Sequence, residues 1–350
     1  MIGQYRHFID ENCAPPQVST IGVYDDAGIK RASMAVPSFM RYPDSDKLYS
    51  FGLLSDIHLV KWESTDSSAN QTSLKFDNAL SFFEEQGAAF CCHTGDMTNI
   101  GFYMEGDAVN LYPYQFAEYK RICDLHPNLP VYGVCGNHES YVNPVTDTLD
   151  ELVYYTGHGL YYTVEHEGDL FIFIGQPKGS TAMNEEELSW LETLLSDNSD
   201  KRCFVFIHPY ISDDSGNTQN AHEIVLLTKD SSVTRRLMSA LAGHGRAVLF
   251  HGHSHFDPIM QEVDPSTNYT HHNGFHSVHV SSVASSARLV DGERIERTKE
   301  SIGYLVDVFA DCIVLRGRNF GVVQNGVLTG AAWSPIATFR IDVGKGESRN

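Results

Sequence analysis

The stretch 49-YSFGLLSDIH-58 decides how the rest of the chain is read. Its first six residues, Tyr49 to Leu54, form an apolar run too short for a typical helix, and a buried strand fits it. The run stops at Ser55 and Asp56, so the strand would carry Asp56 to its carboxyl edge. Asp56 and His58 are two apart, which on extended chain turns both side chains to one side. Taken alone, Asp-x-His is common in surface turns and specifies little.

The same grammar recurs outward from this stretch. Leu74–Gln86 has helical spacing of apolar residues with Gly87 as a stop, and Ala88–Cys92 reads as a strand that meets the polar turn His93–Asp96. A helix over Tyr114–Leu125 and a strand over Pro130–Cys135 lead into Gly136-Asn137-His138-Glu139. The strand Leu170–Ile174 and the helix Glu185–Leu195 precede the strand Cys203–Ile207, which ends at His208. The helix Thr234–Ala242 and the strand Ala247–Phe250 then deliver Gly252-His253-Ser254-His255. Open α/β sheets build their sites at the carboxyl ends of strands, so these clusters can converge.

Beyond residue 258 the pattern is rich in strands and turns. His276–Ser282, Gly303–Phe309, Cys312–Arg318 and Ala337–Val343 are expected to form a second sheet. The expected fold is α/β, a four-layer α-β-β-α sandwich of two mixed sheets flanked by helices, with the polar clusters meeting at one edge. Residues 1–45 read as an N-terminal extension with one or two short strands. Residues 46–320 read as the main domain, and 321–350 as a β-containing tail packed on it. No internal repeat or low-complexity linker divides the chain.

Five clusters in a fixed order, each at the end of an apolar strand, are far more specific than any one of them. The order resembles the calcineurin-like metallophosphoesterase superfamily, whose pattern is D-x-H, G-D, G-N-H-(D/E), H, G-H-x-H. Every element stands here: Asp56-Ile57-His58, Gly95-Asp96, Gly136-Asn137-His138-Glu139, His208 and Gly252-His253-Ser254-His255. The resemblance runs from residue 50 to 256 and implies a dinuclear metal site. Asp56, His58 and His255 would hold one divalent ion, Asn137, His208 and His253 a second, and Asp96 would bridge both. Carboxylate, imidazole and amide donors suit Mn, Fe or Zn. Two such ions about 3.5–4 Å apart can bind a water as hydroxide and clamp an in-line phosphoryl displacement. His138 is implied as a non-ligand that protonates the leaving alkoxide, a role suited to an imidazole.

The implied activity is hydrolysis of a small phosphoester, as a phosphatase or phosphodiesterase. A catalytically silent binding module of the same fold and a nuclease of the same superfamily are the alternatives, and an intact set of ligands and acid favours the hydrolase. Glu139 is open between orienting a ligand and capping a helix. His93 and His251 flank the motifs and read as buried or supporting residues. His271, His272, His276 and His279 read as a solvated loop followed by a strand. The sequence GDMTN at 95–99 lacks the tyrosine that purple acid phosphatases carry three residues after the aspartate, which argues against a tyrosinate-iron centre.

Composition narrows the partners. With 25 basic against 45 acidic residues the formal charge is −20, unsuited to broad binding of nucleic acid. No apolar run approaches the eighteen or so residues of a membrane span. The N-terminus has neither a basic start nor an apolar core of the secretory kind, so a cytoplasmic location is expected. The seven cysteines form no zinc-type spacing, and Cys91, Cys92, Cys135 and Cys203 in apolar runs read as small buried hydrophobes. Substrate choice would lie in the segments 97–115, 140–165 and 210–232 between the motifs.

Overall fold

The computed structural model describes residues 5–9, 19–24, 30–35, 46–60, 70–99, 102–105, 107–140, 148–177, 183–212, 226–228, 232–258, 269–272, 274–290, 294–324, 327–329 and 334–343. Among these, 5–9, 19–24, 30–35, 70, 102–105, 107–110, 148–149, 151, 212, 226–228, 271, 288–290, 294–296, 324, 329, 334–337 and 339 are described by their backbone alone.

Tyr49–Leu54 is a strand buried along its whole length. Phe51 and Leu53 point into a core between two sheets, whereas Leu54 points into an outer core under helices. Both faces are covered, which is why the run is continuously apolar rather than alternating. Gly52 faces outward, where a Cβ would overlap the ring of Phe83 on the helix Asn70–Glu85. The missing side chain lets that helix lie close to the sheet.

Around this strand a seven-stranded sheet forms, with Cys91–His93 and Val131–Gly133 parallel to it on one side. On the other side Glu300–Val308 and then Cys312–Gln324 run antiparallel, and Ser334–Asp342 pairs with the latter. The second sheet has six strands. Asp169–Ile174, Cys203–Phe206, Ala247–His251 and Phe275–His279 are parallel, with Tyr161–His166 and Tyr269–His272 antiparallel at the edges. Aromatic rings fill the space between sheets: Phe51 lies 5.3 Å from Phe171, 5.6 Å from Phe204 and 6.3 Å from Phe250. Asn70–Glu85 and Tyr112–Leu125 cover the first sheet, and Glu185–Asp197 and Ser232–His244 cover the second. This is the four-layer sandwich of two mixed sheets expected from the sequence.

The two sheets are tied at the end away from the metal motifs. Arg202 binds Asp169 through Nε (3.0 Å) and a terminal nitrogen (2.5 Å), Tyr49 donates to the same carboxylate, and Arg202 also donates to the Phe309 carbonyl. The three side chains of this group are buried and the fourth partner is a backbone carbonyl, so the Asp169 carboxylate that loses water finds donors. Burial and Asp169 together push the Tyr49 phenol far above its usual range.

One expectation is corrected. The strands after residue 258 do not make a sheet of their own: Phe275–His279 extends the second sheet, while Glu300–Val308, Cys312–Gln324 and Ser334–Asp342 extend the first. Periodicity reveals that a segment is a strand, but its partner is set by contacts distant in sequence. The strand Cys312–Gln324 runs unbroken through residues 320 and 321. Residues 1–45 contain three strands paired antiparallel, Tyr5–Ile9, Ser19–Tyr24 and Lys30–Ala35. Among the described residues no helix is long and apolar enough to cross a membrane.

The helix Glu185–Asp197 begins with a reciprocal cap, Asn184 accepting from the Glu187 N–H and Glu187 accepting from the Asn184 N–H. Burial pushes the Glu187 carboxyl up to about 7, against the Asn184 N–H, which lowers it. A carboxyl whose folded pKa lies above its unfolded 4.5 holds an extra proton only when folded, so its contribution falls as pH rises from 4.5 to about 7. Glu187→Gln keeps the capping acceptor and removes that slope. Urea midpoints are expected to favour the variant more at about pH 8 than at about pH 4, and an offset independent of pH contradicts this reading.

Candidate metal centre

Every motif lies just past the carboxyl end of a parallel strand, and three of the five sit in turns with an unusual backbone. Among the described residues six non-glycines have positive φ, and five of them are Asp56 (49°), His58 (47°), Asp96 (52°), His253 (78°) and His255 (62°). Such conformations cost on the order of 1–3 kcal/mol each and persist where surrounding structure holds them. Here Asp56 N–H donates to the Gly95 carbonyl (3.0 Å) and His58 N–H to the Asp96 carbonyl (2.9 Å), lacing the first two motifs together.

The side chains named from the sequence come together in two groups. In the first, His255 Nε2 is 3.0 Å from Asp56 Oδ1 and 3.1 Å from His58 Nε2. In the second, Asn137 Oδ1 is 2.9 Å from His208 Nε2 and 3.0 Å from His253 Nδ1. Asp96 stands between them, its Oδ2 3.2 Å from His208 Nε2 and 3.8 Å from His58 Nε2. Its Oδ1 is turned away to accept from the His138 N–H at 3.0 Å. One carboxylate oxygen, rather than one oxygen per group, therefore faces both sets.

Outer partners fix the ring orientations. A carbonyl can only accept, so His208 Nδ1 donates to the Thr94 carbonyl (2.9 Å) and His255 Nδ1 to the Ser285 carbonyl (2.8 Å), leaving each Nε2 lone pair facing inward. Asp56 Oδ2 accepts from Ser55 Oγ (2.5 Å) and from the His253 N–H (3.0 Å), and Thr94 Oγ1 donates on to Ser55. Asp56 Oδ1, by contrast, is buried and accepts no hydrogen bond. Two glycines make room for this packing: a Cβ at Gly136 would overlap Asp96 Oδ1, and one at Gly252 would overlap Ser55 Oγ.

The result is a buried convergence of carboxylate, amide and imidazole ligand atoms, and a cation in place of the imidazole protons is what such a set fits. Its field is visible in the titrations. Burial opposes charge on His208, but Asp96 and Asp56 carry it up to about 9. Burial would raise Asp56 and Asp96, yet His255 for the one and His208 for the other hold both well below the usual carboxylate range. His58, with burial dominant, falls to about 4.

His138 occupies the open side. Its Nδ1 donates to the Asn99 carbonyl, its ring meets His58 edge-on at 4.5 Å, and its Nε2 lies 3.9 Å from Asp96 Oδ2. Among the eight side chains of the motifs it is the most exposed, at 24%. Glu139 turns its oxygens elsewhere. Oε1 accepts from Thr98 N–H (2.7 Å) and Thr98 Oγ1 (2.6 Å), and Oε2 from Gly136 N–H (2.8 Å), so it clamps the Asp96 turn to the Asn137 turn. Burial and Asp96 raise its carboxyl.

The flanking histidines are buried supports. His93 accepts from the Gly95 N–H and reaches Tyr119 Oη at 2.9 Å, with burial lowering it to about 3. His251 packs edge-on against His279 at 5.6 Å, and His279 reaches Ser254 Oγ at 2.9 Å. The expected solvated loop near residue 271 is instead an edge strand, Tyr269–His272, and His279 is buried behind the Gly252–His255 turn. The alternation that the histidines obscured is satisfied by pairs such as His276 with Tyr269 and His272 with Ser277. Cys91, Cys92, Cys135 and Cys203 are buried free thiols, all pushed up by burial.

Sequence reading missed Ser55, Thr94, Thr98 and Ser282. Ser282 Oγ donates to the Asp56 carbonyl at 2.8 Å, and the serine-rich stretch 281–286 was the available signal. Of the three expected specificity segments, 97–115 and 140–165 contain regular elements, including Tyr112–Leu125, Thr148–Thr156 and Tyr161–His166. Residues 141–147 and 213–225 lie outside the described residues.

With this geometry in hand, the comparisons fall into place. A family model described as calcineurin-like phosphoesterase matches residues 49–257, and the chain belongs to that family. No curated protein matches in sequence. A dimetal phosphatase from Danio rerio shares the fold at a TM-score of 0.53 with 13% identity, over 85% of this chain and 100% of that one. Vacuolar protein sorting 29 from Cryptosporidium parvum (11% identity, TM-score 0.35, 84% and 99% covered) and YfcE, a phosphoesterase from E. coli (11%, 0.34, 84% and 99%), are more remote.

The clamp by Glu139 is testable without any activity. Glu139→Ala leaves the buried N–H groups of Thr98 and Gly136 without acceptors, at about 1–3 kcal/mol each. Denaturant unfolding should show a loss of about 2–5 kcal/mol. A loss under about 1 kcal/mol would mean that the two turns hold their shape without it.

Proposed function

We propose that this chain is a metal-dependent hydrolase of small phosphoesters, acting as a phosphatase or phosphodiesterase. The observation that carries the reading is the convergence of seven ligand atoms in two adjoining groups, the buried Asp56 Oδ1 among them, with His138 Nε2 beside them on the open side. Asp56, His58 and His255 would hold one divalent ion, Asn137, His208 and His253 the other, and Asp96 Oδ2 would serve both; Mn, Fe and Zn all suit these donors. Bound there, the ions would neutralise phosphoryl oxygens and lower the pKa of a water nucleophile.

The chain's own residues do the rest. The Asn99 carbonyl fixes a proton on His138 Nδ1, so the proton His138 can release is the one on Nε2, the atom facing the centre. That nitrogen would protonate the departing alkoxide, and the reprotonated ring would serve again. The His138 N–H bond to Asp96 Oδ1 links the acid's position to the bridging carboxylate. The charge of −20 supports a small substrate over a nucleic acid.

Turnover of p-nitrophenyl phosphate and bis-p-nitrophenyl phosphate by the Mn-loaded protein, abolished by chelation and restored by Mn, is the direct test. Absence of turnover with both ions bound would favour a silent binding module. His138→Ala should keep both metals and lose about 10²–10⁴ in kcat on an alkyl ester, with a smaller loss on the aryl ester, whose leaving group needs little protonation. Loss of metal, or equal loss on both esters, contradicts the acid role.

A further inference from the structure

Beside the metal centre the chain leaves positive charge uncompensated. The segment Ser282–Ala287 is the wall of the Asp56 and His255 side: Ala284 N–H donates to the Asp56 carbonyl (3.1 Å) and Ala287 N–H to the His255 carbonyl (2.7 Å). Against that wall lies the stretch 297–300, with Thr298 N–H on the Ser286 carbonyl (2.7 Å), Ser286 N–H on the Glu300 carbonyl (3.2 Å), and Arg297 in register with Ala287. Lys75 Nζ reaches the Ala284 carbonyl of the same segment at 2.5 Å. Three cations thus surround one short strip of backbone that itself holds two residues of the centre.

Among the described residues several cations pair with carboxylates: Lys120 with Asp124, Lys201 with Glu165, Arg236 with Glu185 and Glu192, Arg316 with Asp307. Among the described residues the side chains of Arg297 and Lys299 have no ion pair or hydrogen bond, and Lys75 has only its carbonyl. Lys75 is buried, Lys299 is close enough to repel it, and the two effects lower the amine to about 8. Arg297 keeps exposed surface but is partly enclosed, which lowers its pKa, and the Asp56 charge opposes that shift. With 45 carboxylates to draw on, a protein that leaves these cations unpaired beside the segment that walls the metal centre presents them to an anion from outside.

We propose that Arg297 and Lys299, with Lys75 behind them, seat a second phosphate of the substrate, so that the site takes small molecules carrying a phosphate besides the ester that is cleaved. The proposal rests on the hydrolase reading for the first phosphate and adds the substrate class.

Its test is calorimetric titration of the Mn-loaded protein with α,ω-alkanediol bisphosphates of graded length and with the matching alkanol monophosphates. For at least one length the bisphosphate should bind about tenfold tighter than its monoester, well beyond the twofold of having two equivalent ends. In the Arg297→Gln/Lys299→Gln variant that ratio should fall towards the statistical value, and in the unmodified protein it should fall as salt is raised. Both residues are solvent-exposed, and thermal unfolding checks that the variant is folded; Lys299→Gln alone and the salt series serve if it is not. No preference at any length, or a preference that survives both the substitution and the salt, overturns the second-phosphate seat. Hydrolysis of p-nitrophenyl phosphate is measured in parallel, and its absence counts against the hydrolase reading while leaving the binding ratio to decide the seat.

Discussion

Five left-handed turns at Asp56, His58, Asp96, His253 and His255 are the constraint on which the site depends. None of these residues is glycine, so each turn sets a conformation that a β-carbon resists. In return, a strand that would alternate its side chains across a sheet aims consecutive polar groups at one point. The strain is held by bonds between turns: Asp56 to Gly95, His58 to Asp96, Leu59 to Met97 and Val283 to Ser55. No single loop can keep its shape without its neighbours, and this makes the centre a property of the whole carboxyl edge.

That edge stays fixed because the rest of the sandwich is dry and closely packed. Phe51, Phe171, Phe204 and Phe250 fill the space between sheets, and the Arg202–Asp169–Tyr49 group fastens the opposite end. The polar groups of the site are buried, with outer bonds supplied by Ser55, Thr94, Ser282 and Glu139, while their ligand atoms converge on one another. A protein gains nothing in stability from such an arrangement by itself. Its physical sense is as a receptor for positive charge.

The candidate metal ligands were legible because their chemistry is rare and their order along the chain is specific. Asp56, His58, Asp96, Asn137, His208, His253 and His255 all arrive within one cluster, as does His138. Strand identity was legible from short apolar runs, but sheet membership was not, since Glu300–Val308 joins Tyr49–Leu54 across some 250 residues that carry no local record of the pairing. Edge strands such as Tyr161–His166 were missed because one face is exposed and mixes polar with aromatic residues. The supports were the least legible: a serine, a threonine or a glutamate acquires its role only when a turn distant in sequence brings it a partner.

Under the proposed function, one oxygen of Asp96 would face two cations at once. Electron paramagnetic resonance of the protein loaded with two equivalents of Mn(II) tests it most directly. Two ions sharing a bridging oxygen couple magnetically and give a broad multiline spectrum, and Asp96→Asn should remove it. A spectrum of independent six-line Mn(II) signals at full loading would contradict the account.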